Sequence, residues 1–366
     1  MRLRDTLVVL LLAPAVATAA LIAPAGAALP PRSAAPPTQA IVTSGHAKGS
    51  TAAYTPTADV GSGLTGYGGG TTGGDLGDVY WVTTLADTGP GSLRYGATLP
   101  QPLWIRFAVS GTIALKTKLN IASDKTVDGR GASITITSMV VRISGVSNVI
   151  VENIRFLKAR SDPNANGLRI MAGSDHVWVD HCDFSVASDE VMSVTQGSTD
   201  VTLSWNRFHD NDKGVLVSAL NSGLPEQVTM HHNYFYKTYQ RNPLVNLADV
   251  HAYNNLLTTW GDIGMQTTAG GRLVSQGNVF DATGVGKDGI RNQLGNWGVG
   301  AASSDGDLYL HGARFVQQGT SDTFALPYSV VVEPATDALE ARIKAGAGLQ
   351  ALALAAVTRS PTLSLG

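Results

Sequence analysis

One cysteine in 366 residues, Cys182, excludes an intramolecular disulfide. Charged residues make up only 15% of the chain and the formal net charge is −2. That balance excludes the basic footprint of a nucleic-acid-binding protein. Beyond residue 28 there is no apolar run long enough to cross a bilayer, so the mature chain is not expected in a membrane. The glycine-rich stretch at 61–74 lacks the lysine and the strand–loop–helix context of a phosphate loop. What the chain does have is glycine, 41 residues of it, and Val-rich strands of period two.

Those strands repeat. The segments VIVENIRF, VWVDHCDF, VTLSWNRF, VTMHHNYF, VHAYNNLL and LVSQGNVF begin at Val149, Val177, Val201, Val228, Val250 and Leu273. A repeat of that length marks a solenoid whose coils contact only their neighbours. The sixth position reads Ile154, Cys182, Asn206, Asn233, Asn255 and Asn278. Stacked asparagines bond one another's amides and the turn backbone. The pattern predicts an all-β, right-handed parallel β-helix with one strand per repeat on each face. Cys182, at the stacked position, reads as a small buried hydrophobe. Such a rod offers a long open side, suited to a linear polymer.

The amino terminus reads as an export signal over 1–28. Arg2 and Arg4 precede an apolar core from Leu7 to Ala13, and small residues follow to Ala28. Residues 29–57, rich in Pro and Ala, read as a flexible lead-in, and 58–366 as one β-helix domain. The expected product is a secreted, extracellular monomer. Leu339, Ile343 and Leu349 have helical spacing and predict a terminal segment that covers the coils.

The segment Val177–Ser185 resembles the vWIDH signature of polysaccharide lyase family 1, the pectate and pectin lyases. Gly91–Arg94, Pro102–Ile105, Thr126–Gly131 and Asn148–Phe156 resemble its opening coils. His209–Lys213 resembles HDHDK, Gln240–Pro243 resembles the start of RxPxxR, and Ser304–Leu308 resembles a later motif. From their order, the chain is identified as a secreted bacterial member of that family. The resemblance implies β-elimination of pectate: a base takes the proton next to the galacturonate carboxylate after cations have neutralised that carboxylate. It implies Arg241 as the catalytic base and Lys213 as the group that grips the substrate carboxylate. An arginine base needs strongly cationic surroundings, because guanidinium normally keeps its proton.

The family's Ca²⁺ site uses an Asp in a DAIxI strand and two acids in a DGxxD segment. Here Asn166 and Ser193 stand for two of those acids and Asp189 alone remains, so calcium binding is expected to be weakened. Asn246 replaces the second Arg of RxPxxR and cannot form its bidentate fork. Period-two alternation turns Glu190 away from the metal position and turns Arg169 outward, toward the vacated calcium position, as fixed positive charge for substrate. Asp180 and His181 read as structural, and adjacent His231 and His232 are expected to face opposite ways and hold no common ion. Three readings remain open: a pectate lyase with a depleted calcium site, a calcium-independent pectin lyase, and a non-catalytic β-helix that binds polysaccharide.

Overall fold

The computed structural model describes residues 65–157, 166–219, 226–284, 294–296, 299–317 and 319–350. The segments read as export signal and lead-in lie outside the described residues. The rest is a right-handed parallel β-helix. Ten strands, from Asp78–Val82 to Ala301–Asp305, stack in chain order as a first face. Two further faces follow it. The second runs through Arg155–Leu157, Asp183–Ser185, Tyr234–Gln240 and Leu256–Thr258. The third runs through Val141–Ser144, Leu168–Met171, Glu190–Thr195, Leu244–Asn246 and Met265–Thr268. The twelve-residue strand Arg207–Ser218 belongs to both, pairing with Tyr234–Gln240 by its first half and Leu244–Asn246 by its second.

The repeat is the register. Val149, Val177, Val201, Val228, Val250 and Leu273 are successive partners on the first face, and all are buried. Four residues on, the chain turns. The fifth repeat position holds Asn153, His181, Trp205, His232 and Asn254, each with φ between 47° and 55°, and then Gly277. One left-handed residue bends the strand from the first face onto the second, at a steric cost for any side chain but glycine.

The sixth position offsets that cost. Asn206 Oδ1 accepts from Cys182 N at 2.9 Å, Asn233 Oδ1 from Asn206 N at 3.0 Å, and Asn255 Oδ1 from Asn233 N at 3.0 Å. Asn278 Oδ1 accepts from Asn255 N at 2.8 Å. Each of these asparagines also donates Nδ2 to a carbonyl of the preceding coil, Val179, Leu203, Met230 or Ala252. The ladder ends on Asp307, whose Oδ1 accepts from Asn278 N at 2.8 Å. Two positions on, Phe156, Phe184, Phe208 and Phe235 stack inside the rod with centroids 4.8 to 5.2 Å apart. Each such pair adds about 1 kcal/mol beyond its area burial.

Both ends of the described chain cover the first face and its bend. The glycine-rich segment packs on outward threonines: Thr126, Thr202 and Thr229 accept from Gly74 N, Gly68 N and Tyr67 N. A Cβ at Gly74 would lie 1.9 Å from Leu103 O, so only glycine allows this approach. The helix Asp337–Gly346, capped by Thr336, buries Leu339 and Ile343 against Leu256 and Val279. Trp205 packs beneath this region, between His181 and His232 and against Gly346. Trp178 is buried beside Ile150, its Nε1 bonded to Ser204 Oγ. Cys182 is buried, and burial pushes its thiol well above the ordinary range. One expectation fails: His231 Nδ1 and His232 Nδ1 lie 3.0 Å apart. The strand's alternation ends at His232, whose left-handed backbone swings its ring round.

Replacing Asn233 with Ala strands two donors of Asn206 and removes the Nδ2 bonds to Leu203 O and Asn255 Oδ1, the latter keeping its bond from the backbone N of residue 233. The expected loss is about 3–5 kcal/mol, since each orphaned buried group costs roughly 1–3. The midpoint of urea unfolding measures it.

Burial also lowers the pKa of His251 to about 4, with its ring held between Tyr328 and Gln276. The unfolded chain takes this proton below about pH 6.5, the folded chain only near 4. Stability therefore falls as pH drops through that window, by roughly 3 kcal/mol from this residue. Urea unfolding at pH 7 and pH 4 should show a smaller difference for His251→Gln than for wild type.

Candidate active site

Outward-facing side chains of the third face line up coil by coil. Arg142, Arg169, Ser193, Leu216 and Leu244 are successive partners. Alternation in Leu168–Met171 does turn Arg169 outward, half-buried, as its sequence suggests. Arg142 occupies the same place one coil earlier, in Val-Arg-Ile against Leu-Arg-Ile, a signal that sequence reading passed over. Ser193, partner of Arg169, is buried.

At the bend between the second and third faces, Glu190, Lys213 and Gln240 are in register. Arg241 follows Gln240 with φ 61°. Its carbonyl accepts from Val215 N at 2.6 Å, while Asn242 N and Nδ2 donate to Gly264 O and Ile263 O. Gly214 makes this possible, because a Cβ there would sit 2.6 Å from Arg241 O. The Lys213 segment and Arg241 are therefore brought backbone to backbone on adjacent coils.

Their side chains are aimed by carboxylates. Lys213 Nζ lies 2.8 Å from Asp189 Oδ1. Asn211, buried, donates Nδ2 to the carbonyls of both Asp189 and Lys213 at 2.8 Å, holding the two segments together. Arg241 Nη1 is ion-paired with Glu190 Oε1. Asn166 Nδ2 donates to Glu190 Oε2 at 3.4 Å and to Ser193 Oγ at 3.1 Å, and Asn166 and Ser193 are fully buried. Burial, with Asp189 next to it, raises the pKa of Glu190 above the usual carboxylate range.

Glu190 is thus a correction. Alternation was expected to turn it away, but it begins its strand directly after a bend, where strand parity has not yet been set. It stands where the DGxxD pattern has glycine, which was the available signal. Asp189, the one carboxylate retained from that pattern, is committed to Lys213. Among the described residues no three His, Cys, Asp or Glu side chains form a metal-holding group. Asn246 is buried, in register with Ser218 and Thr268. Asp180 and His181 bond each other at 2.7 Å under the covering segments, away from this face. Tyr239, half-exposed, rims a recess of about 410 Å³ with Asp210, Asp212 and Lys237, beside Lys213. Its carbonyl accepts from Asp262 N at 2.7 Å and its ring lies against Gly261.

Fold and site together define a class: parallel β-helices with a charged, open lateral cleft. The comparisons name the family. The profile described as pectate lyase matches residues 38–348. A probable pectate lyase 6 of Arabidopsis thaliana is 32% identical over 292 residues, 71% of this chain and 64% of that protein. Pectate lyase 2 of Ambrosia artemisiifolia is 33% identical over 312 residues, 76% and 78% of the two chains. The chain thus spans a little under two thirds of the Arabidopsis relative. The crystal structure of Jun a 1, the major cedar-pollen allergen, superposes with TM-score 0.67 at 26% identity, covering 78% of this chain and 92% of that one. A pectate lyase from Bacillus sp. N165, in complex with trigalacturonate, has the same fold, with TM-score 0.56 at 22% identity and coverage of 78% and 98%. This chain belongs to the pectate lyase family. The curated relatives named are from plants, so the bacterial assignment is not borne out.

Asn166→Asp sets a third carboxylate beside Asp189 and Glu190 in a buried pocket. The expected cost is about 3 kcal/mol at neutral pH in chelator, read from urea unfolding.

Proposed function

We propose that this chain is a secreted lyase that cleaves pectate by β-elimination, with a site that does not hold calcium in the manner its family motifs imply. The observation that carries the reading is the convergence of Arg241 and Lys213 on adjacent coils, each aimed by a carboxylate. Arg142 and Arg169 extend the positive charge along the face. These four cations outnumber the carboxylates of Asp189 and Glu190 that they face, which favours an acidic polymer over its methyl ester.

The calcium chemistry of the motif needs several carboxylate oxygens facing one point. Here one carboxylate faces an ammonium and the other a guanidinium, and the buried amide of Asn166 gives its Nδ2 to Glu190 and Ser193, leaving its Oδ1 as a single neutral oxygen without a partner among the described residues. The residues do not fit the ion. In the proposed reaction the galacturonate carboxylate is neutralised by Lys213 and Arg169. Arg241 removes the proton from the adjacent carbon. The electron pair forms the new C=C bond, the neighbouring C–O bond breaks, and the leaving oxygen takes a proton from water. A neutral arginine base demands cationic surroundings; Arg169 and Arg142 supply positive charge along the face, while the Glu190 carboxylate favours the charged guanidinium, so Glu190 contributes orientation at a cost in basicity. Tyr239, next to this centre, offers one ring face for a sugar to stack on.

Secretion rests on the charged and apolar pattern of residues 1–28. No helix among the described residues is long and apolar enough to cross a membrane.

The test is ultraviolet absorbance of the conjugated unsaturated product, from polygalacturonate and from highly methylated pectin. The expected result is product from polygalacturonate. Arg241→Ala should lower kcat about 10³-fold, and Lys213→Ala should act mainly on KM, about tenfold. Product from methylated pectin alone assigns a pectin lyase. No product from either, with polymer binding retained, assigns the non-catalytic reading.

A further inference from the structure

We propose that Glu190 is a positioning residue that takes the place of a divalent cation in organising this site: its buried carboxylate fixes the Arg241 guanidinium at the cleft, and the site carries no resident divalent cation. The kinetic part rests on the lyase reading above; the metal-binding part stands without it.

Three observations meet at this residue. Glu190 is buried and uses both oxygens inside the site, one on Arg241 Nη1 and one on the Asn166 amide. Donors face it from two sides, and Asn166 Oδ1 is a neutral oxygen without a partner among the described residues. Asn166 points its Nδ2 at Glu190 and Ser193, and Lys213 lays its ammonium on Asp189. A divalent cation entering here would meet N–H groups and an ammonium, and would have to break two ion pairs to gain two carboxylates. The third observation is position. The related DGxxD pattern has no side chain at this point, so the space a ligand would use is filled by the carboxylate of Glu190 itself. Asn166, Glu190 and Ser193 therefore read as one replacement rather than three separate losses. An acid at position 166 or 193 would repel Glu190; a neutral amide and hydroxyl bond with it.

The consequence concerns Arg241. Its backbone is clamped, yet its side chain is long, and its Nε has no partner among the described residues. The pair with Glu190 is the contact that selects one orientation of the guanidinium. A charge-assisted bond in a buried site is worth about 1.5–3 kcal/mol, which is roughly a 10- to 150-fold effect on rate if orientation is what it supplies.

The test uses the secreted protein and two Glu190 variants. Wild type is titrated with CaCl₂ by calorimetry, and its rate on polygalacturonate is compared in calcium and in chelator. No heat of binding and equal rates are expected. Glu190→Gln, close in shape, should lower kcat about 10- to 100-fold while KM moves less than about threefold. Glu190→Gly should recover part of its rate with added formate, an external carboxylate; a residue that only supports packing gives no such rescue. Calcium binding by wild type, or activity lost in chelator, overturns the proposal. So does a Glu190→Gln enzyme with wild-type kcat. If wild type cleaves neither substrate, the lyase reading fails, and the calcium titration decides the metal part. The positioning part is then decided by the NMR signals of the Arg241 guanidinium. Slowed rotation that persists in Glu190→Gln overturns it, and slowed rotation lost in that variant sustains it.

Discussion

From Asn153 onward the coils of this rod turn at one left-handed residue, and the rest of the structure depends on how that turn is held. A non-glycine residue at positive φ is disfavoured by roughly 1 kcal/mol, and the first bend repeats it at Asn153, His181, Trp205, His232 and Asn254. After Trp205, His232 and Asn254 an asparagine follows, and it takes up the amide left over in the preceding coil and ties the two coils together. Because an asparagine reaches one coil only, the bends stay in vertical line. Lateral alignment of the faces follows from that line. Asp307 ends the ladder with a carboxylate fed by Asn278, Ser275 and Ser304, and burial still raises its pKa, so the terminus is held by donors rather than by a charge partner.

Alignment turns a sequence pattern into a surface. Arg142 and Arg169 are one coil apart because their strands are in register, and Lys213 meets Asp189 for the same reason. The second bend is less regular. Arg207–Ser218 runs from face to face without interruption, and its partner coil breaks at Arg241–Pro243. The site lies at that irregularity. Side chains there leave the strict in–out alternation of a strand, and groups from neighbouring coils point at one another instead of standing parallel.

That difference decides what was legible in the sequence. Six copies of one phrase, with Val at the first position and Asn at the sixth, are enough to read faces, register and ladder, because stacking repeats one local geometry. Arg169 was placed correctly by alternation, since it sits inside a strand. Glu190 and the pair His231–His232 were misread by the same rule, because each lies at a bend, where one residue at positive φ, or the first residue after a turn, resets which way a side chain points. The ion pair of Arg241 with Glu190 joins residues 51 positions apart across two coils, and no local pattern announces it. Only the glycine that the related motif carries there could have pointed to position 190.

Under the proposed exchange of a metal cage for ion pairs, the site would also meet its substrate differently. A bound cation adds positive charge that the protein's acids only partly cancel, and it reaches substrate oxygens as a point. Glu190 and Asp189 instead keep Arg241 and Lys213 neutral in sum, so attraction for a polyanion has to come from the neighbours, Arg142 and Arg169, along the same face. On the proposed reading such a cleft would draw in a chain of carboxylates by charge spread over several coils, while the pairs at the bend would hold Arg241 and Lys213 in place. Recognition and alignment then reside in different residues, whereas a bridging cation performs both. On this account the outward arginines set affinity and its dependence on salt, and the carboxylates set the geometry of Arg241.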